Sequence, residues 1–516
     1  MSSKHSTRLL TIGLAILLTG ITATAPISGT LTVAGQYAVA TMVFAAVLWV
    51  TGALPLPLTA LIIPILLTTF GVYADFGDAV AGFANPVIFL LLAGFMLAEA
   101  LQTHSIDRRI SLAILLRFGT SARGLVLGVM VATALLSMVI SNTATVAMMV
   151  PIVLGIVGTV TDLTKAGGDG SSSEASNFQI GMLLGVAYAA SLGGVGTLIG
   201  TPPNAIVVGQ LDELLGFEIT FVEWLAIGLP MVVVTLPVAW VLLTYVVYPP
   251  KQYDVSHAQE QARDQLQSMG ALSTPARRTV LIFGATAFLW FLGGLGFLFG
   301  DVLSRDWYVT LFGGAGASVF GTVGHEGVLF YVIVGLLAVP ALVVSGATAW
   351  DDLVTIDWGT LLLLGGGISL ANALADTNAT VWLAEVTLGS LNGAAILVLL
   401  LVVVTMIVLV GELASNTAMA AILAPLLINI GPAYADALGT SGELAAVLLA
   451  VTGAIAASYG FALPVATPPN AIVFGAGYIE RDHMLRAGVL LDGVVILLTT
   501  GVTYLLIRFL WPIVLG

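Results

Sequence analysis

Apolar residues gather into runs separated by short polar connections. Most runs are long enough, at about 1.5 Å of rise per residue, to cross the roughly 30 Å hydrocarbon core of a bilayer as helices. Eleven such runs lie at 9–25, 37–54, 56–72, 86–101, 179–199, 221–247, 279–299, 327–344, 360–374, 444–463 and 485–510. Two further segments, 124–160 and 394–430, are nearly twice the length of one span, and each carries a small uncharged cluster at its midpoint: Ser141-Asn142-Thr143 and Ser415-Asn416-Thr417. A turn at the membrane surface usually holds charged or aromatic residues. Non-helical backbone within the membrane is tolerated only where it lines a cavity, so these two segments are expected to be re-entrant hairpins rather than paired spans.

The chain has 516 residues, of which 59% are hydrophobic and 8% charged, with a mean hydropathy of +1.08. That leaves too little polar surface for a water-soluble globule of this size. The expected fold class is an all-α polytopic membrane protein with about eleven transmembrane helices. If the amino terminus is cytoplasmic, Lys4, Arg8, Arg108, Arg109, Arg117, Arg123, Lys165, Lys251, Arg263, Arg277, Arg278, Arg481 and Arg486 fall inside, and only Arg305 and Arg508 outside. This positive-inside asymmetry predicts a cell-membrane protein with an extracellular carboxyl terminus. The first run also resembles a secretory signal ending at Ala23-Thr24-Ala25, although Pro26 disfavours cleavage there.

A net charge of −13, from 28 acids against 15 bases, argues against nucleic acid as a partner. Cysteine is absent, which removes disulfides, thiolate metal sites and cysteine nucleophiles. His325-Glu326 begins like a zinc-protease helix, but Leu329 stands where the second histidine is needed. Gly314 and Gly316 lack the third glycine of a dinucleotide fingerprint, and no phosphate-binding loop ending in Gly-Lys-Ser/Thr occurs. No organic cofactor and no enzymatic activity are expected.

Two phrases occur twice. Ser141-Asn142-Thr143-Ala144 runs through Ala147 to Pro151, and Ser415-Asn416-Thr417-Ala418 runs through Ala421 to Pro425. Thr201-Pro202-Pro203-Asn204-Ala205-Ile206-Val207 returns letter for letter as Thr467-Pro468-Pro469-Asn470-Ala471-Ile472-Val473. The order of hairpin and then broken helix is thus repeated. The first hairpin follows four spans and the second follows nine, so the copies are inverted across the membrane. Inverted repeats with interrupted helices at matching positions are the sequence mark of secondary transporters.

The resulting organisation is N-terminal scaffold helices over 1–83, a first repeat over 84–248 with hairpin 124–160 and broken helix 179–215, and a cytoplasmic linker over 249–276. Scaffold and the start of the second repeat follow over 277–374. The remainder of that repeat occupies 375–516, with hairpin 394–430 and broken helix 444–478.

Paired prolines remove two backbone donors, so each helix is expected to break at Thr201-Pro202-Pro203 and Thr467-Pro468-Pro469, freeing carbonyls near Gly200 and Ala466. Hard carbonyl oxygens suit an alkali cation. At the hairpin tips Ser, Asn and Thr are strong helix starters, and two helix starts facing each other make an anion site without a basic residue. Glu412, three residues from the second tip, is either a coupling carboxylate or a group bonded to local backbone.

The paired Ser-Asn-Thr and Thr-Pro-Pro-Asn phrases, within a stretch of roughly 41–509, resemble the divalent anion:sodium symporter family, relatives of the sodium-coupled dicarboxylate, citrate and sulfate carriers. The resemblance implies a homodimer in the lipid bilayer that carries a small divalent anion, of the C4-dicarboxylate kind, in symport with sodium by an elevator movement. It implies substrate contacts from Ser141, Asn142, Thr143, Thr201, Pro202, Ser415, Asn416, Thr417, Thr467 and Pro468. One sodium ion would be held by Ser137, Ser141, Asn142 and Gly200, and another by Ala414, Asn416 and Ala466. Gly411 departs from the pattern, since the family commonly has threonine there and the first tip has Ser137. The alternatives are an inorganic oxyanion such as sulfate as substrate, proton coupling on the same fold, or a non-transport subunit of a membrane complex.

Overall fold

A computed structural model describes residues 2–26, 31–118, 121–166, 172–250, 256–388 and 395–510. Among these, eight helices of 18 residues or more are apolar enough to cross a membrane. Their outer faces carry apolar side chains in the open: Leu10 is 73% exposed, Leu281 72% and Leu497 66%. Lipid is the solvent that accommodates such a surface.

Local chemistry sets the helix ends. Thr32 starts Val33–Thr51 by accepting the Gly35 N–H at 2.9 Å, and Ser121 starts Ala122–Ser137 by accepting that of Gly124 at 3.1 Å. Gly216, with φ +66°, stops Pro202–Leu215 in the left-handed conformation.

The doubled apolar runs fold as hairpins. Ala122–Ser137 is followed by Asn142–Ala166, and Ile396–Gly411 by Asn416–Ile430. Arms of 16 and 15 residues in the second hairpin reach only about 24 Å, short of the roughly 30 Å core, so its tip ends inside the membrane. Ala394, at the foot of the second expected hairpin, lies outside the described residues, as do 251–255 of the linker.

The helix after each hairpin is broken as expected: Ser172–Gly194 is followed by Pro202–Leu215, and Gly442–Ala457 by Pro468–Gly475. The prolines occupy the first two positions of the second halves, so they begin a helix rather than interrupt one. The unwound backbone precedes them.

The halves exchange partners. Pro202–Leu215, from the first repeat, packs on Asn416–Ile430 and Gly442–Ala457, while Pro468–Gly475 packs on Asn142–Ala166 and Ser172–Gly194. Gln210 Nε2 donates across this boundary to the Ala421 carbonyl at 3.2 Å. The exchange brings both tips and both breaks to one place.

Three elements outside the site were not expected. In the linker, helix Ser256–Ser268 packs on Ile106–Phe118, where Arg109 donates to the Gly270 carbonyl at 2.8 Å. Between Thr274–Gly293 and Tyr331–Val344 the chain forms a short helix, Arg305–Phe312, and a two-stranded antiparallel ribbon, Gly314–Ala317 with Val323–His325. The ribbon is the one departure from an all-helical fold among the described residues.

Candidate functional site

The two tips share one backbone pattern, a turn of four residues between helices, 138–141 in the first and 412–415 in the second. Each second arm begins at its asparagine, so the first amides of the arm have no intrahelical acceptor and present a positive end. Ser141 Oγ accepts the Ala144 N–H at 3.3 Å, whereas Ser415 makes no side-chain cap.

The two breaks are held by the same device. Asn204 Nδ2 donates to the carbonyls of Gly194 at 3.0 Å and Thr197 at 2.8 Å. Asn470 Nδ2 donates to those of Gly460 at 3.1 Å and Leu463 at 3.0 Å. In both repeats the acceptors lie ten and seven residues upstream. The fourth residue of Thr-Pro-Pro-Asn therefore folds the unwound strand back over the start of its own half-helix. Both asparagines are fully buried.

All ten residues expected at the substrate line a single cavity of about 1060 Å³, together with Gly200, Ala414 and Ala466. No lysine or arginine contributes to its wall. Ser137 is fully buried behind the first tip and is not part of the wall. Outside the tips and breaks, the wall also includes Trp49, Phe95, Glu99, Gln102, Asp357 and Thr360. The carboxylate of Asp357 is tied down by Thr360, whose Oγ1 donates to it at 2.6 Å.

Behind the first tip several oxygens converge. Ser137 Oγ stands 2.8 Å from the Ala190 carbonyl and 2.5 Å from Asn142 Oδ1. A hydroxyl has one proton, so it can satisfy only one of these acceptors at a time. At the second tip Gly411 supplies no hydroxyl, and Asn416 Oδ1 is buried without a hydrogen-bond partner. Oxygen-only donor sets of this kind suit a hard cation such as sodium. The chemistry of both tips thus fits a coupling ion, with the second set less complete in side-chain oxygens.

Glu412 takes the backbone-bonded role. Its Oε1 accepts the Ala462 N–H at 2.9 Å and its Oε2 that of Leu463 at 2.8 Å, fastening the second tip to the second break. In the first repeat Met138 stands at the equivalent position, and its carbonyl accepts from the Thr197 hydroxyl. The same junction is made with opposite polarity.

The model of the family described as the sodium:sulfate symporter transmembrane region matches residues 5–513. The chain belongs to the divalent anion:sodium symporter family. It is 32% identical over 485 residues to the sodium-dependent dicarboxylate transporter SdcS of Staphylococcus saprophyticus, covering 93% of this chain and 87% of the relative. Identity and coverage are the same for SdcS of Staphylococcus aureus strain USA300. The fold is similar to that of the YdaH transporter of Alcanivorax borkumensis, whose crystal structure is described as having an unusual topology. The TM-score is 0.53 at 16% identity, over 91% of this chain and 99% of that one. This member of the symporter family is a multi-pass membrane transporter, not an enzyme.

Several site residues of this symporter escaped the reading of its sequence. Asn204 and Asn470 were visible within the repeated phrase but had no assigned task. Ala190 contributes a carbonyl, which a sequence does not advertise. Glu99 and Gln102, on Pro86–Thr103, and Asp357 and Thr360, at the start of Trp358–Asp376, reach the cavity from outside the two repeated phrases, so no repetition of letters marked them out.

Proposed function

We propose that this protein is a sodium-coupled symporter of small divalent anions, of the C4-dicarboxylate kind, working by an elevator movement as a homodimer. The observation that carries the proposal is one cavity walled by both inverted tips and both helix breaks, free of lysine and arginine. The dicarboxylate class is supported by the relatives at 32% identity that are named for it.

In this reading the substrate carboxylates lie against the helix starts at Asn142-Thr143 and Asn416-Thr417, with hydroxyls of Ser141, Ser415, Thr201 and Thr467 nearby and the rings of Pro202 and Pro468 as apolar wall. The first sodium ion would be held by Ser137, Ser141, Asn142 and Gly200, and the second by Ala414, Asn416 and Ala466. Sodium supplies positive charge and fixes each tip. Each asparagine turns a side-chain carbonyl toward the cation while the amides of its helix face the anion, so cation binding preorganises the anion site, and the coupling is reciprocal. Glu99 and Asp357 add acidic groups to the cavity wall, which disfavours a bare dianion until cations are bound.

The cavity wall reaches Gly52, Gln102 and Asp357, which lie at span ends that the basic-residue asymmetry assigns to the cytoplasm. The conformation is therefore read as inward-facing.

The test is uptake by the purified protein in proteoliposomes. An inward sodium gradient should drive accumulation of succinate, and potassium should not replace it. Malate, citrate, sulfate and phosphate as competitors rank the substrate class. Sulfate competing better than any dicarboxylate would move the assignment to an inorganic oxyanion, and accumulation driven by a proton gradient without sodium would overturn the coupling ion.

A further inference from the structure

Away from the cavity, one acid gathers the amides of two helices. Glu213 stands near the end of the half-helix Pro202–Leu215, about 17 Å along its axis from the proline that touches the cavity. Its Oε1 accepts from Asn372 Nδ2 at 2.9 Å and its Oε2 from Asn85 Nδ2 at 3.3 Å. Asn372 belongs to Trp358–Asp376, and Asn85 caps Pro86–Thr103, its Oδ1 accepting the Val87 N–H at 3.0 Å. Each oxygen of the carboxylate therefore holds a different helix.

The contact is built rather than incidental. Asn85 is 3% exposed, and the same amide donates to the Gly209 carbonyl at 3.4 Å, one turn before Glu213. A Cβ at Gly209 would lie 3.2 Å from both Asn85 Oδ1 and Ile368 Cδ1, so the half-helix runs close against both neighbours. Asn372 turns its amide to the acid and leaves its own Oδ1 buried without a hydrogen-bond partner. A carboxylate only accepts, so the reversed amide would face it with a second acceptor. Tyr73 donates to Asp376 at 2.6 Å, which fastens this end of Trp358–Asp376 to the chain after Leu56–Thr69.

The place of the contact gives it a role. Gln102 and Asp357, where the cavity wall reaches the cytoplasmic span ends, lie on or beside the same two helices. Asn85 and Asn372 are about 25 and 22 Å away at the other ends. The half-helix also belongs to the site: its start lines the cavity, and Gln210 binds Ala421 of the second hairpin. A site that opens to the outside has to draw this half-helix away from both neighbours. We propose that Asn85, Glu213 and Asn372 form a latch that closes the outer approach to the site in this conformation and releases when the site turns outward.

The latch rests on the alternating-access reading above and adds the residues that bias its equilibrium. Among the described residues no lysine, arginine or histidine pairs with Glu213, and the side chain is exposed. Water can replace the amides, so the latch is reversible. Counted from the paired prolines, Ile479 holds the matching place in the second repeat, beyond the end of Pro468–Gly475. The device is therefore single, and it favours one side.

The chain has no cysteine, so single reporters test the latch in otherwise unaltered protein. Ile368, fully buried against Gly209 one turn before Asn372, reports the outer approach, and Ala147, which lines the cavity, reports the inner one. A membrane-impermeant maleimide is applied without sodium or succinate, to intact cells for Ile368→Cys and to inside-out vesicles for Ala147→Cys. Glu213→Ala should raise the outer labelling rate by about 10-fold and leave the inner rate unchanged or lower. Glu213→Gln, which keeps an acceptor for Asn372, should raise the outer rate by only about 3-fold. If Glu213→Ala does not assemble, Asn372→Ala should give a rise of about 3-fold in the same direction. An unchanged outer rate overturns the latch, and so does a rise at both reporters, which marks a loosened structure. Failure of the inward-facing reading is a separate result, seen as Ala147→Cys sealed from the cytoplasm before any change at Glu213.

Discussion

The two halves of the site share a skeleton but not its wiring. Both have a four-residue tip, a proline-started half-helix, and an asparagine that brackets the break through carbonyls ten and seven residues upstream. The polar groups between tip and break differ. The first half has Ser137, Gly200 and a Thr197 hydroxyl on the Met138 carbonyl; the second has Gly411, Ala466 and the Glu412 carboxylate on two amides. An inverted repeat preserves the backbone geometry on which alternating access depends. It leaves the groups behind each tip free to diverge, so the two proposed cation sites need not bind alike.

The strongest test of the comparison is at the glycine that has no counterpart. A Cβ at Gly200 would lie 2.4 Å from the Gly194 carbonyl oxygen and 3.0 Å from that of Ser137. Both are backbone atoms, so no side-chain rotation relieves the clash. Ala466, at the matching place, already carries a Cβ. Gly200→Ala is therefore expected to lower sodium-driven uptake by about 100-fold, equivalent to roughly 2.7 kcal/mol, while Ala466→Gly changes it by less than about 3-fold. Similar losses in the two variants, measured as initial uptake rates at matched protein content, would show that the breaks are equivalent.

A smaller effect is expected from moving the hydroxyl between halves. Ser137→Ala removes an oxygen from the first set and should raise the sodium concentration for half-maximal uptake by about 10-fold, the scale of one lost polar partner of about 1.4 kcal/mol. The converse change is sterically open. A Cβ at Gly411 would sit 3.4 Å from the Tyr459 carbonyl oxygen and 3.9 Å from Asn416 Oδ1, both ordinary contacts. Gly411→Ser should lower the half-maximal sodium concentration by about 3-fold, less than the loss at Ser137 because Ser137 Oγ is positioned by the Ala190 carbonyl, whereas a new hydroxyl at 411 must give up rotamer freedom to reach the ion. A sodium titration of uptake that leaves Gly411→Ser unchanged would break the idea that the second set lacks an oxygen.

Much of this site was legible because function here is written in departures from helical regularity. Doubled apolar runs with Ser-Asn-Thr at their centres gave the hairpins, and paired prolines gave the breaks. Repetition identified both as one construction. Sequence misplaced the prolines by half a step, since proline is compatible with the first turn of a helix and the unwound strand lies before it. It could not show that Asn204 and Asn470 bracket the strands, because hydrogen bonds back over a loop depend on how the loop closes. Glu213 was passed over because no repeat echoes it. The ribbon at Gly314–Ala317 and Val323–His325 was invisible for a simpler reason, since short glycine-rich strands carry no alternating apolar pattern.

The smallest expected effect lies where each broken helix hands over to the next span. Both handovers end in a capping box, Thr220 with Glu223 in the first repeat and Glu480 with His483 in the second. The first is crowded with acids. Partial burial, and then Glu326, Asp212 and Glu223, push the Glu218 carboxyl up from 4.5 to about 7. Between those values the unfolded chain has lost the Glu218 proton while the folded chain keeps it. The folded state therefore binds more protons, and stability falls as pH rises through this window. Above about 7 both states are ionised and the loss is complete. Glu218 is exposed, so solvent screens much of the interaction. Glu218→Gln should reduce the drop in thermal midpoint between about pH 5 and pH 7.5 by about 1–2 °C, with uptake unchanged. The second handover has His483 inside its cap and no comparable cluster of acids, and Tyr478 holds the place of Glu218, two residues before the cap, so Tyr478→Gln should leave the pH dependence of the midpoint as it is. Equal effects at the two corners would mean that the divergence of the halves is confined to the tips.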